Sequence, residues 1–200
     1  MSAGESAPTW SAALEKVVKR EAEEAAAHHW LHEHASRWTG RRNDVLQIPS
    51  IILATVTGFI SATADAPPVV VGALSLIVGT LNTLNSYFKF SQRSEAHRII
   101  AQLYLKVYKN IQTELALPFE QRTPAEKLLA DLRERMARIA ETAPILPAAS
   151  IAAFKGKFPE PKTAVPIVAN GIEPVEIFVA ESQAPALVPV VTRPRIGISV

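Results

Sequence analysis

The chain has 200 residues, with 21 Lys and Arg against 19 Asp and Glu, and 48% of it is apolar with only 6% aromatic. A net charge of +2 excludes the strong cationic face that general nucleic-acid binding requires. The absence of cysteine excludes disulfides, thiolate nucleophiles and cysteine-ligated metals.

Residues 1–9 are small and polar and read as a flexible N-terminus. Residues 10–44 read as an amphipathic helix. Ser11 to Leu31 contains neither Gly nor Pro, and Leu14, Val17, Val18, Trp30 and Leu31 can share one side. Trp38, Arg41 and Arg42 follow, where a ring and two cations suit a lipid headgroup layer.

Every residue from Val45 to Ala64 and from Ala66 to Phe88 is uncharged, with Asp65 between the two runs. A helix crosses the hydrocarbon of a bilayer in about 20 residues, so the runs predict two transmembrane helices, 45–64 and 66–88. They lie too deep in the chain for a signal peptide. The short link Ala64-Asp-Ala-Pro-Pro predicts an antiparallel return, and Pro49 fits the first turn of the first span. Tyr87, Phe88, Lys89, Phe90 and Arg93, with His97 and Arg98 beyond, form a second aromatic and cationic belt. Cations at both ends of the hairpin and an acid in its turn place both termini on the cytoplasmic side.

Residues 89–143 read as cytosolic helices. Ile99, Leu103, Val107 and Ile111 recur about once per turn before Pro118 ends the first. Thr123-Pro-Ala-Glu126 reads as a capping box opening a second, to about Thr142. Residues 144–200 include nine prolines, yet they are rich in Val and Ile, as in Val165-Pro-Ile-Val, Val175-Glu-Ile-Phe-Val and Leu187-Val-Pro-Val-Val. They read as an extended tail that lies along a protein partner. The predicted fold is all-α: a two-transmembrane helical hairpin, long flanking amphipathic helices and an extended Pro-rich tail.

Small residues repeat at Ser50, Ala54, Gly58 and Ala62 on the first span and at Gly72, Ser75, Gly79, Asn82 and Ser86 on the second. Such seams let helices approach closely in lipid. Two readings are open: packing within the hairpin, or the lining of a pore built from several hairpins, with Thr80, Asn82, Thr83 and Asn85 as its polar groups. His28, His29, His32 and His34 cluster on the N-terminal helix. His28 and His32 have the spacing of a metal pair but lack a third ligand, and a solvated or headgroup-facing cluster, or a pH-responsive one, is the other reading. Arg133, Glu134, Arg135 and Arg138 read as a solvated face. No phosphate-cradling loop, nucleophile elbow, metalloprotease helix or paired carboxylates occur, so no catalytic residue, cofactor or metal is expected.

The segment Arg37-Trp-Thr-Gly-Arg-Arg-Asn-Asp-Val-Leu-Gln-Ile-Pro-Ser, with Gly79-Thr-Leu-Asn-Thr-Leu-Asn-Ser-Tyr-Phe-Lys-Phe-Ser-Gln-Arg-Ser-Glu-Ala-His-Arg, resembles the SLATT superfamily of two-transmembrane proteins with flanking cytosolic helices. The resemblance spans residues 27–117. It implies a membrane effector, proposed to form pores, that works beside nucleotide-signalling partners in bacterial conflict systems, and similar hairpins occur in large DNA viruses. The Pro-rich tail departs from a bare effector, and these residues hold no sensor or nucleotide-synthesising domain. The expectation is a homo-oligomeric anchoring protein, held in lipid by its hairpin and strapped to a protein partner by residues 144–200, as in linking an internal viral membrane to a capsid. A pore-forming effector is the alternative, and a soluble protein with an apolar core hairpin is a third reading.

Overall fold

The structure, a computed structural model, describes residues 10–63, 67–160 and 163–170. These form helices α1 (Ala12–Ser61), α2 (Pro68–Phe88), α3 (Phe90–Ala116), α4 (Ala125–Thr142), α5 (Ala148–Lys157) and α6 (Ile167–Asn170), with no strand among the described residues. The expectations for residues 1–9, the turn at 64–66 and residues 171–200 lie outside them.

α1 is one unbroken helix of 50 residues, about 75 Å long at 1.5 Å per residue, so no break separates the amphipathic and apolar stretches. Its first turn is capped by the Ser11 hydroxyl, which accepts from the Leu14 amide at 3.3 Å. Pro49 consequently sits inside the helix rather than in a first turn. There it removes one amide donor and frees the Val45 carbonyl.

The inward side of α1 advances by alternating steps of four and three residues. Val18, Ala22, Ala25, His29, His32, Ser36, Thr39, Asn43, Leu46, Ser50, Leu53 and Thr57 are all buried or half-buried. This is a heptad stripe, built mostly of small and polar residues, and it lets a partner helix come close. Val17 falls outside it and is 43% exposed.

The partner is the succession α2–α3. Val71, Leu74, Val78, Leu81 and Asn85 are the less exposed positions of α2, and Phe90, Ser94, His97, Ala101, Tyr104, Tyr108 and Ile111 continue the stripe along α3. The step from Asn85 to Phe90 is five, where three or four would keep phase. Lys89 fills it in the left-handed region (φ 50°, ψ 40°) and ends one helix while starting the next. The phase shift turns Ile100 inward and leaves Ile99 exposed, which corrects the stripe expected at Ile99. Bonded pairs at 50 and 82, 47 and 85, 36 and 94, 32 and 97, and 29 and 101 show that α1 runs opposite to α2–α3.

α4 lays Leu128, Leu132 and Ile139 over a core that includes Val18, Ala22, Val107 and Ile111. Its start differs from the expected capping box. Pro124 is the cap residue and makes no side-chain bond to the helix; the Thr123 hydroxyl donates to Glu114 Oε1 (3.0 Å) and its amide to Oε2 (3.1 Å). A carboxylate from the end of α3 therefore holds this turn. Residues 148–157 and 167–170, expected as extended tail, are helical. Phe154 of α5 and Ala169 of α6 pack with Ala27 and Leu31 of α1, and Glu23 Oε2 accepts from the Ala164 amide at 2.9 Å.

Arg122 ties the chain's distant parts together at the lower end of this bundle. Its guanidinium donates to Glu15 Oε1 (2.5 Å), the Leu117 carbonyl (2.7 Å) and the Leu115 carbonyl (3.1 Å), and it lies against the rings of Trp10 and Phe119. Its side chain is only 8% exposed. We expect Arg122→Ala to cost about 2–4 kcal/mol of unfolding free energy by thermal or denaturant melts, with Arg122→Lys recovering less than half because an ammonium cannot span three acceptors. Lys89→Gly should raise stability by about 1 kcal/mol, since glycine alone adopts the left-handed region without penalty.

Candidate functional site

Two segments in the described residues are long and apolar enough to cross a membrane, one in α1 and one beginning at Pro68. Their mutual contact is polar toward its charged end. Ser50 Oγ donates to Asn82 Oδ1 at 2.7 Å, and Asn85 Nδ2 donates to Gln47 Oε1 at 2.5 Å. The Thr57, Thr80 and Thr83 hydroxyls donate back to the Leu53, Leu76 and Gly79 carbonyls of their own helices, which leaves those donors satisfied without water. Each residue considered as pore lining thus makes a bond within the chain, Asn82 and Asn85 to α1 and Thr80 and Thr83 to their own backbone, while Asn85 Oδ1 is buried without a partner.

The small-residue seams lie elsewhere. Ser50 is buried and Asn82 bonds to it, but Ala54, Gly58, Ala62, Gly72, Ser75, Gly79 and Ser86 are exposed. A Cβ added at Gly58, Gly72 or Gly79 would meet nothing within 4 Å. The helices meet instead through Ser50, Leu53 and Thr57 against Val71, Leu74, Val78 and Leu81, displaced from the expected seam. The α1 seam steps by four and drifts off a contact that alternates fours and threes, whereas the α2 seam has that alternation but lies one residue out of register with Val71, Leu74, Val78 and Leu81.

A collar of aromatic and cationic residues surrounds the point where charge gives way to apolar sequence. The Arg42 guanidinium stacks 3.7 Å from the Trp38 ring centre. Tyr87 meets Phe88 edge-on at 5.2 Å, and Phe88 stacks on Phe90 at 5.2 Å. Arg41, Lys89 and Arg93 are exposed.

The histidines form a layer between α1, α3 and α5, which corrects the solvated cluster expected from sequence. His32 and His97 face each other with Nδ1 atoms 3.0 Å apart and are 2% and 3% exposed. One ring must donate and the other accept, so the accepting ring is neutral and the two cannot both be protonated. His28 stacks on Tyr104 at 4.7 Å, His29 Nδ1 donates to the Ala101 carbonyl at 2.9 Å, and His34 Nδ1 bonds the Ser150 hydroxyl at 3.1 Å while stacking on Trp30. Among the described residues no three His, Cys, Asp or Glu are grouped so as to hold a metal ion. His97 was the partner missed in sequence: it sits 65 residues away from His32, and only the antiparallel pairing brings them together.

Burial, followed by the neighbouring His97 and His28, lowers the His32 imidazole from 6.5 to about 3, and burial lowers His97 as well. Burial raises the Tyr104 phenol, assisted by the Glu24 carboxylate. Unfolded histidines bind protons below about pH 6.5 while these two resist them, so stability should be constant above neutrality. It should fall on acidification from 6.5 toward 3 through His32, by up to about 1.4 kcal/mol per pH unit, and His97 adds to the loss in the same direction. Melts across this range should show the slope, and replacing both rings by leucine should flatten it; an equally steep slope in that variant would refute the assignment. Comparison of the chain with family models, with curated proteins and with solved structures finds no match.

Proposed function

We propose that the chain is an integral membrane anchor in which residues 45–61 of α1 and the whole of α2 form a transmembrane hairpin, with the other helices gathered on one side. The observation that carries this reading is the fate of the apolar residues. Core helices of soluble proteins are equally apolar but mostly buried. Here 11% of the apolar window of α1 is buried and none of that beginning at Pro68. Val45, Phe59, Val69 and Leu76 are each more than 70% exposed, a continuous apolar surface that needs cover. A bilayer supplies it, because helices satisfy their own backbone. At 1.5 Å per residue the two segments are about 25 and 31 Å long, against about 30 Å of hydrocarbon.

The bare faces at Gly58, Gly72 and Gly79 support homo-oligomerisation, since nothing prevents a second copy from approaching these backbones. The cations Arg41, Arg42, Lys89 and Arg93 at one end of the paired helices support cytoplasmic termini. The contact of residues 164–169 with α1 leaves 171–200 as the segment to strap onto a partner assembly, such as a capsid beneath a viral membrane. A pore-forming effector is the second reading. The resemblance to SLATT proteins and the bare small-residue faces favour it; the inward pairing of Asn82 and Asn85 favours the anchor.

Purified full-length protein reconstituted in phosphatidylcholine liposomes should float with the vesicles, resist alkaline extraction and leave entrapped dye in place. Extraction of the protein at alkaline pH would refute insertion. Dye release that disappears in Gly79→Leu would replace the anchor by the pore. A chain ending at residue 170 should insert as well as the full chain and lose only its partner.

A further inference from the structure

The collar contains a site whose chemistry none of the protein's own side chains completes. A surface cavity of about 410 Å³ is lined by Trp38, Arg41, Arg42, Val45, Leu46 and Phe90. Its lining divides by position along α1: two guanidinia and an indole toward the charged end, aliphatic and phenyl groups toward the apolar end. Arg37, Arg98, Arg122, Arg135 and Arg138 each hold a carboxylate, whereas Arg41 and Arg42 hold none among the described residues. Asp44, the nearest acid in sequence, accepts from Asn43 Nδ2 at 3.4 Å. Arg42 is further oriented by its stacking on Trp38 at 3.7 Å. Stacking occupies a guanidinium's face and leaves its N–H edge free for an oxyanion. Lys89 and Arg93 flank Phe90 in sequence and add charge of the same sign.

We propose that this cavity binds one anionic phospholipid, its phosphate received by Arg41 and Arg42 and the upper part of its acyl chains lying on Val45, Leu46 and Phe90. The assignment rests on the membrane reading above and goes beyond it. A generic headgroup layer needs only cations at the right depth. Here paired guanidinia adjoin an apolar slot that opens at Val45, the first residue of the uncharged run. Planar guanidinia suit a phosphodiester, which offers two unesterified oxygens, and the zwitterionic choline head would bring its own cation against them. Charge complementarity therefore selects the anionic lipid.

The test is native mass spectrometry of the full chain in detergent micelles titrated with phosphatidylglycerol or phosphatidylcholine, beside flotation on pure phosphatidylcholine vesicles. Wild type should retain one phosphatidylglycerol with clear preference over phosphatidylcholine. Arg41→Gln with Arg42→Gln should weaken that retention about 30-fold, near the sum of two cation contacts at a lipid surface. Both arginines are exposed, so helix content should not change, and Lys127→Gln with Arg133→Gln serves as a charge-matched control on α4 that should bind like wild type. Equal retention of the two lipids, or loss in the control pair as large as in the arginine pair, would overturn the site while flotation left the anchor standing. Failure to float would overturn both. Displacement of the lipid by inorganic phosphate at millimolar concentration would reassign the cavity to a free anion and overturn the lipid assignment.

Discussion

Everything in this protein depends on α1 keeping one face turned toward α2–α3 over its full length, through two stretches of sequence of opposite character. The stripe that does this is not made of large apolar side chains. Ala22, Ala25, Ser36, Thr39, Ser50 and Thr57 occupy half of it, and their smallness brings backbones within reach of short polar bonds such as Ser94 Oγ to the Ser36 carbonyl at 2.9 Å. Apolar burial is concentrated elsewhere, where α3 and α4 close over the N-terminal part of α1. Along the apolar half, dispersion between small residues and two side-chain bonds hold the pair.

Holding that face along both stretches has a cost at one residue. α2 and α3 would lose phase with α1 if they formed one ideal helix, and Lys89 absorbs the mismatch in a backbone conformation that lysine rarely adopts. The break falls at the collar, beside Phe88 and Phe90, where charged sequence meets apolar. Local strain and change of sequence character therefore coincide within a few residues.

Much of the fold was legible in the sequence, and the failures have physical causes. The uncharged runs at 45–64 and 66–88 were legible because length and absence of charge are one-dimensional properties. The all-helical class followed from composition, and Val107 and Ile111 from their spacing. The seam was misplaced on α1 because a period of four through Gly58 drifts off a contact that advances by three and a half, and on α2 because small residues such as Gly72 mark the face one residue out of register with the contact. Ile99 was misassigned because a left-handed residue resets phase without leaving a glycine as its mark. The histidines were read as solvated because their partners, His97, Ala101 and Ser150, are 65 to 116 residues distant. Arg122 escaped notice for the same reason, since Glu15 lies 107 residues earlier. The tail was read as extended from its prolines, but Pro144 and Pro147 precede α5, and a helix tolerates proline at its start.

The contrast between an unbroken α1 and an interrupted α2–α3 has a mechanical consequence. A continuous helix transmits rotation about its axis along its length, so a twist imposed near the histidine layer would reach Thr57 with little loss. Its neighbour has a swivel at Lys89 and can take up the opposing motion there. The molecule is thus built as a drive shaft beside a jointed rod, and torque applied to the helices outside would emerge as a change in which face α1 presents beyond the collar.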